Sequence, residues 1–375
     1  MRIEWVEGLD GAEASAALDR LEDDPAVASV LALAAAPRLE QARVLDDPLQ
    51  GRSLPIVGGV FPGVVVERAH RSEALVLVGL PRRLRTAIVH DVGSGPPSRS
   101  ALAGLQQAVA EGSGTVLAFV DAMSEGIEEL LTAVFDEVGP FASYLGGGAG
   151  SLELASGPCI LTNEGVLADA AVIGVLDAPS AVGVAHGWRP VGEPMQVTAG
   201  SGRTVVELDH EPAATVYLRA VEAHRGQALD LDRFPEIAPS YPLGIVRLDE
   251  EFVVRDPVAI DETSLVCIAE VPERAFVRLL HGDAQALLAA AERSAQDARA
   301  HASTQDEIGL VLDCISRALH LGERFDEELA VADPGVPWVG ALSIGEISNP
   351  GDRFLELHNK TVLAARIQAG ARIPT

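Results

Sequence analysis

The chain has 375 residues, enough for two domains with proper cores. It carries 55 Asp and Glu against 28 Lys and Arg, and the resulting charge of −27 disfavours nucleic acid phosphates and anionic membranes as partners. No apolar run approaches the ~20 residues of a bilayer span, and the three isolated cysteines form neither a disulfide framework nor a CxxC metal clamp.

The start, MRIEWVEGLDG, lacks a basic segment followed by an apolar core, so no signal peptide is read and a cytoplasmic location is expected. The only lysine is Lys360. Carboxylates without lysine, beside many alanines and valines, suggest a high-salt cytoplasm, with a GC-rich mesophile as the alternative.

In chain order, Asp10-Gly11 starts a helix over 12–21, and 30–35 reads as a buried strand. The run 56–63, IVGGVFPG, follows. Strands at 74–80 and 85–92 are expected to be joined by a tight turn at Pro81. A helix is expected over 98–111, then a strand over 115–120 that ends at Asp121. Ser124 is expected to cap a helix with Ile127, Leu130, Leu131, Val134, Phe135 and Val138 on its apolar face, ended by Gly139-Pro140. The runs 145–150, 158–162, 170–176 and 181–185 follow. Residues 195–208 read as a hairpin around Gly200-Ser201-Gly202. A helix spans 211–224, and the polar, proline-bearing stretch 226–241 is the best linker candidate. Strands are expected at 242–254, 264–270 and 275–280, and Asp283 caps a long alanine-rich helix over 283–302.

Residues 310–347 then read as a βαβ-like unit: a buried strand stopping at Asp313-Cys314, a helical segment, and a second strand with Gly340. This pattern occurs three times. Val30 precedes Gly58, Val116 precedes Gly146 and Val311 precedes Gly340 by 28, 30 and 29 residues. The spacing predicts a repeated layered unit of strand, helix and glycine-containing strand, followed in at least two copies by a hairpin.

Polar chemistry gathers at the ends of apolar runs, at Asp121, the His186-Gly187-Trp188-Arg189 turn, Asp313-Cys314 with Arg317, and Glu346 with His358-Asn359. An amino acid needs a cation for its carboxylate, which Arg189 or Arg317 supplies, and a carboxylate for its ammonium, which Glu346 or Asp313 supplies. Trp188 suits an apolar group or a cation. Cys314 with His320 or His358 is the cysteine-enzyme alternative. His186 is the first choice for an axial haem ligand, non-covalent because CxxCH is absent. The glycine clusters lack the Lys-Ser/Thr of a phosphate-binding loop, and close strand packing explains them better.

The stretches LGGGAG (145–150), AHGWRPVG (185–192), VTAGSGRTVVELDHEPAATVY (197–217), YPLGIV (241–246), VRDPVAID (254–261), LDCISR (312–317), GALSIGEI (340–347) and LHNKTVL (357–363) resemble the FIST family in both of its halves. The resemblance implies an N-terminal domain over 1–211 and a C-terminal domain over 212–375. It implies a non-enzymatic sensory protein of α/β class that binds a small ligand, an amino acid being the proposed class. It also implies signalling through a separate output protein such as a kinase or receptor. A haem-dependent nitric oxide or redox sensor is the alternative it carries.

Overall fold

The computed structural model describes residues 2–109, 114–229, 231–247, 252–300, 307–349 and 355–368. Its organising feature is a unit of αβ structure present three times. The first copy runs β1 (Arg2–Glu7), α1 (Gly11–Glu22), β2 (Ser29–Ala35), α2 (Asp46–Leu49) and β3 (Ile56–Phe61). A hairpin, β4 (Gly63–Val66) and β5 (Ala69–Arg71), and a last strand, β6 (Ala74–Leu80), complete it. The second copy runs β7 (Arg85–His90), α3 (Arg99–Leu102), β8 (Gly114–Asp121), α4 (Ile127–Val138) and β9 (Ala142–Ala149). Its hairpin is β10 (Ile160–Thr162) and β11 (Gly165–Leu167), and its last strand is β12 (Ala170–Leu176).

The third copy opens with β13 (Ser180–Ala185) and is then interrupted by an insertion. The insertion begins with β14 (Arg189–Ser201), β15 (Thr204–Leu208), β16 (Glu211–Pro212), α5 (Ala213–Arg225) and α6 (Phe234–Ile237). It continues with β17 (Leu243–Val246), β18 (Phe252–Arg255), β19 (Pro257–Asp261), β20 (Ser264–Cys267) and β21 (Phe276–His281). The copy resumes with α7 (Ala284–Ala300), β22 (Glu307–Cys314), α8 (Ile315–Leu321), α9 (Phe325–Val331) and β23 (Trp338–Ser343). Its hairpin is β24 (Glu346–Asn349) and β25 (Glu356–His358), and its last strand is β26 (Val362–Gln368).

In every copy the second strand pairs in parallel with the third and antiparallel with the last: β2 with β3 and β6, β8 with β9 and β12, β22 with β23 and β26. These strands are buried along most of their length and mainly apolar because both faces are covered. The glycine of each pair is a packing requirement. A Cβ would fall 1.7 Å from Ala32 O at Gly58, 1.8 Å from Ala118 O at Gly146 and 2.5 Å from Val311 O at Gly340. The three-copy pattern read from the sequence is therefore present in space.

The hairpins are exchanged around a ring. The β10–β11 hairpin extends the first sheet through Ile160 opposite Gly59. The β24–β25 hairpin extends the second through Glu346 opposite Gly147. The β4–β5 hairpin closes the ring on the third through Val64 opposite Ala341. Each copy thus completes its neighbour's sheet, and the sheets mix strands from both sides of residue 211. The insertion has its own sheet of β14–β15 and β17–β21 and its own apolar core, with Val197, Tyr217, Leu243 and Val277 inside.

Several local expectations need correction. The strands flanking Pro81 form no hairpin: β6 lies in the first sheet and β7 pairs with β12 in the second, because this link joins two copies. The strands at 170–176 and 181–185 are likewise split between sheets. The expected helix at 98–111 is a single turn, α3, followed by a 3₁₀ turn at Gln106–Ala108, with residues 110 and 111 outside the described residues. Ser124 does not cap α4. Its hydroxyl donates to Asp169 at 2.6 Å, and Gly126, at φ 78°, occupies the cap. The supposed linker is folded, since Phe234, Ile237 and Tyr241 are buried in the insertion core. Residues 242–254 form two paired strands, β17 and β18, rather than one. Asp10 and Asp283 do cap their helices, accepting backbone N–H groups at 2.8–2.9 Å.

Candidate functional site

The third copy departs chemically from the other two. Strand register makes Asp313 equivalent to Ala34 and Val120, and Glu346 equivalent to Ile160 and Val64. Two positions that are apolar in the other copies carry buried carboxylates here. Buried charge is costly unless it is paired, so it marks a place where the fold serves something besides packing.

Arg317, fully buried on α8, is the hub. Its guanidinium pairs with Glu328 of α9 and lies 3.3 Å from Asp313. It also donates to the carbonyls of His186 at 2.6 Å and Leu287 at 3.0 Å. Glu346 accepts the Ser343 hydroxyl at 2.8 Å and the Thr361 N–H at 3.2 Å. Burial pushes Asp313 and Glu346 well above the usual carboxylate range; Glu328 adds to the effect at Asp313, and Asp313 adds to it at Glu346.

The turn between β25 and β26, His358-Asn359-Lys360-Thr361, crosses this region. Lys360 has φ 52°, in the left-handed region a side chain rarely adopts. Its Nζ donates to the Pro239 carbonyl at 2.9 Å, pairs with Asp256 at 3.0 Å, and lies 5.1 Å from the centre of the Trp188 ring. The Trp188 indole N–H donates back to the Lys360 carbonyl at 3.0 Å. The aromatic face foreseen at Trp188 therefore holds a cation, the protein's own.

Two cavities flank the turn. One, of about 280 Å³, lies between the second and third copies and the insertion. Its wall is apolar: Leu152, Leu154, Pro239, Val258, Leu319 and Ile344. Leu152 and Leu319 are more than half exposed, at 56% and 64%. Its polar lining is Asp256, Cys314, Ser316 and Asn359. Oδ1 of Asp256 and Oδ1 of Asn359 are buried and have no hydrogen-bond partner. The other cavity, of about 340 Å³, is lined by His186, Trp188, Arg189, Phe252, Arg293, His358 and Thr361.

The residues singled out from the sequence therefore divide. His186, Trp188, Arg189 and His358 line the second cavity, and Cys314 and Asn359 line the first. Asp313, Arg317 and Glu346 line neither: Asp313 and Arg317 belong to the buried ion network with Glu328, and Glu346 is held by Ser343 and Thr361. Asp121, the fourth polar spot, sits apart, accepting the N–H groups of Met123 and Asp169 at 2.9 Å. Sequence reasoning passed over Asp256, Ser316, Leu319 and Lys360. The one available signal was that Lys360 is the sole lysine in an acidic chain.

Two of the alternative readings meet obstacles in the local chemistry. The Cys314 thiol contacts the Ser316 hydroxyl at 3.1 Å and is pushed up to about 12 by burial and by Glu346, so it is not a ready nucleophile. His320 stacks edge-on against Trp188 at 5.3 Å. His186 does not fit an axial haem ligand. Its Nδ1 accepts the Trp188 N–H at 3.0 Å, so the ring proton occupies Nε2 and neither nitrogen is open to iron. Among the described residues, no group of three His, Cys, Asp or Glu side chains gathers to hold a metal ion. No helix among them is long and apolar enough to cross a membrane.

Fold and site together define a repeat-built α/β protein with ligand-sized cavities at strand ends, joined by a buried ion network. A FIST N domain matches residues 29–211 and a FIST C domain matches residues 213–349, so the chain belongs to the FIST family. Its domains are sensory domains of signal transduction that bind small ligands, and the family is not typically catalytic. A comparison with curated proteins finds no match.

Proposed function

We propose that this chain is a non-enzymatic sensor whose ligand, a small amino compound with an apolar body, binds in the cavity between Leu319 and Asn359. Apolar amino acids are the expected class. The observation that carries this reading is the pair of unpartnered buried acceptors, Asp256 Oδ1 and Asn359 Oδ1, on residues lining an otherwise apolar cavity. Buried acceptors without partners are rare in folded proteins, and an ammonium group carries three donors for such acceptors. The exposed leucines at the mouth supply the apolar contact that such a ligand buries.

Occupancy reaches the rest of the molecule through Lys360. It pairs with Asp256 on the lining of this cavity and lies against Trp188 on the lining of the other. The output is read by a separate partner, a kinase or receptor in the family's manner.

A thermal-shift screen with the amino acids and simple alkylamines tests this. A ligand that binds only the folded state raises the melting point in a dose-dependent way. The expected hits carry an ammonium group and a branched or aromatic body, and lose their effect in Asn359→Ala. A screen in which no such compound shifts the melting point contradicts the reading.

A further inference from the structure

The cavity at His186 offers a different chemistry and stands independently of the amine reading. The protein has nearly twice as many acidic as basic side chains, yet among the described residues no Asp or Glu lines this cavity. Two arginines do, Arg189 at the start of β14 and Arg293 on α7. Both are exposed, and among the described residues neither has an ion-pair partner. An unpaired guanidinium presents a fork of N–H donors matched to the paired oxygens of an oxyanion.

His186 supplies the second, independent observation. It is half-buried, and its Nδ1 is committed to the Trp188 amide. Its Nε2–H is therefore a fixed donor with no protein acceptor among the described residues. Burial first, and then the charges of Arg317, His358 and Arg293, lower this ring to about 4. The imidazole thus remains a neutral donor across the physiological range, in a locally positive field.

We infer that Arg189, Arg293 and the Nε2–H of His186 form a second ligand site, for a small multiply charged oxyanion of the phosphate ester or diphosphate kind. The volume of about 340 Å³ suits a small phosphorylated metabolite. Thr361 and His358 line this cavity while Asn359 lines the other, so one four-residue turn meets both ligands.

The test is calorimetric titration with inorganic pyrophosphate at fixed ionic strength. The native chain is expected to bind one equivalent saturably. Arg189→Gln with Arg293→Gln should weaken binding at least about tenfold, since charge-assisted hydrogen bonds are lost. His186→Phe should weaken it as well. Arg219→Gln, which alters an exposed arginine paired with Glu211, should leave it unchanged. All substituted arginines are exposed, so these variants are expected to fold. Absence of saturable binding overturns the proposal. So does binding that the double substitution leaves intact, or that Arg219→Gln weakens equally.

Discussion

Lys360, fully buried, places its Nζ 3.0 Å from Asp256 Oδ2. This pair joins the β25–β26 turn of the third copy to the insertion, whose β18 and β19 flank Asp256. Removing one member leaves the other charged in a buried site without compensation. Breaking such a pair costs about 3–5 kcal/mol. Lys360→Met should lower unfolding free energy by that order in chemical denaturation, and adding Asp256→Asn should recover much of the loss. A single variant as stable as the native chain would show that the pair contributes nothing.

His186 sets a pH dependence. Its folded value is lowered from 6.5 to about 4, by burial first and then by Arg317, His358 and Arg293. Between those values the unfolded chain binds the proton that the folded chain refuses. The contribution is therefore present above the unfolded value and lost as pH falls through that window. After allowance for the ring's partial exposure, about 2 kcal/mol is expected to disappear between pH 6.5 and pH 4. His186→Asn should flatten that part of the stability curve. An unchanged slope in the variant would assign it to other groups.

The repeat glycines offer a graded test. A Cβ at Gly58 or Gly146 would fall 1.7 or 1.8 Å from a backbone oxygen, and at Gly340 2.5 Å. Alanine at Gly58 or Gly146 should force the parallel strands apart at a cost of about 2–4 kcal/mol, and less at Gly340. Equilibrium unfolding of the three variants checks the order. Equal, small effects would mean that the strands part easily.

Thiol reactivity separates sensor from cysteine enzyme. Burial pushes Cys314 and Cys267 up to about 12 and raises Cys159 as well. All three should resist alkylation near neutral pH until denaturant is added. Rapid, selective modification of Cys314 in the folded chain would revive the nucleophile reading.

Strand existence was legible because both faces of β2, β8 and β22 are buried and their runs are continuously apolar. The copies were legible because each parallel pair needs a glycine at a fixed interval, at Gly58, Gly146 and Gly340. Strand partners were not legible. Nothing in the apolar pattern of Ile160–Thr162 says that it joins the sheet of the first copy rather than its own. The same ambiguity turned β6 and β7 into an apparent hairpin. At the site, isolated polar residues such as His186, Cys314 and Asn359 stood out against apolar runs and do line cavities. Arg317 and Glu346 stood out equally but are internal, because a sequence does not distinguish a charge paired within the protein from one held for a ligand. Asp256 and Leu319 were missed because the cavity they share exists only after the insertion docks on the third copy.

The most direct measurement of the central claim compares isoamylamine with isovalerate, two ligands with similar branched apolar bodies and opposite charge, by calorimetry on the native chain and on Asn359→Ala. The account predicts that the amine binds the cavity, that the carboxylate does not, and that Asn359→Ala weakens the amine by about tenfold or more. Equal affinity for the two, or an amine affinity unaffected by Asn359→Ala, would contradict it.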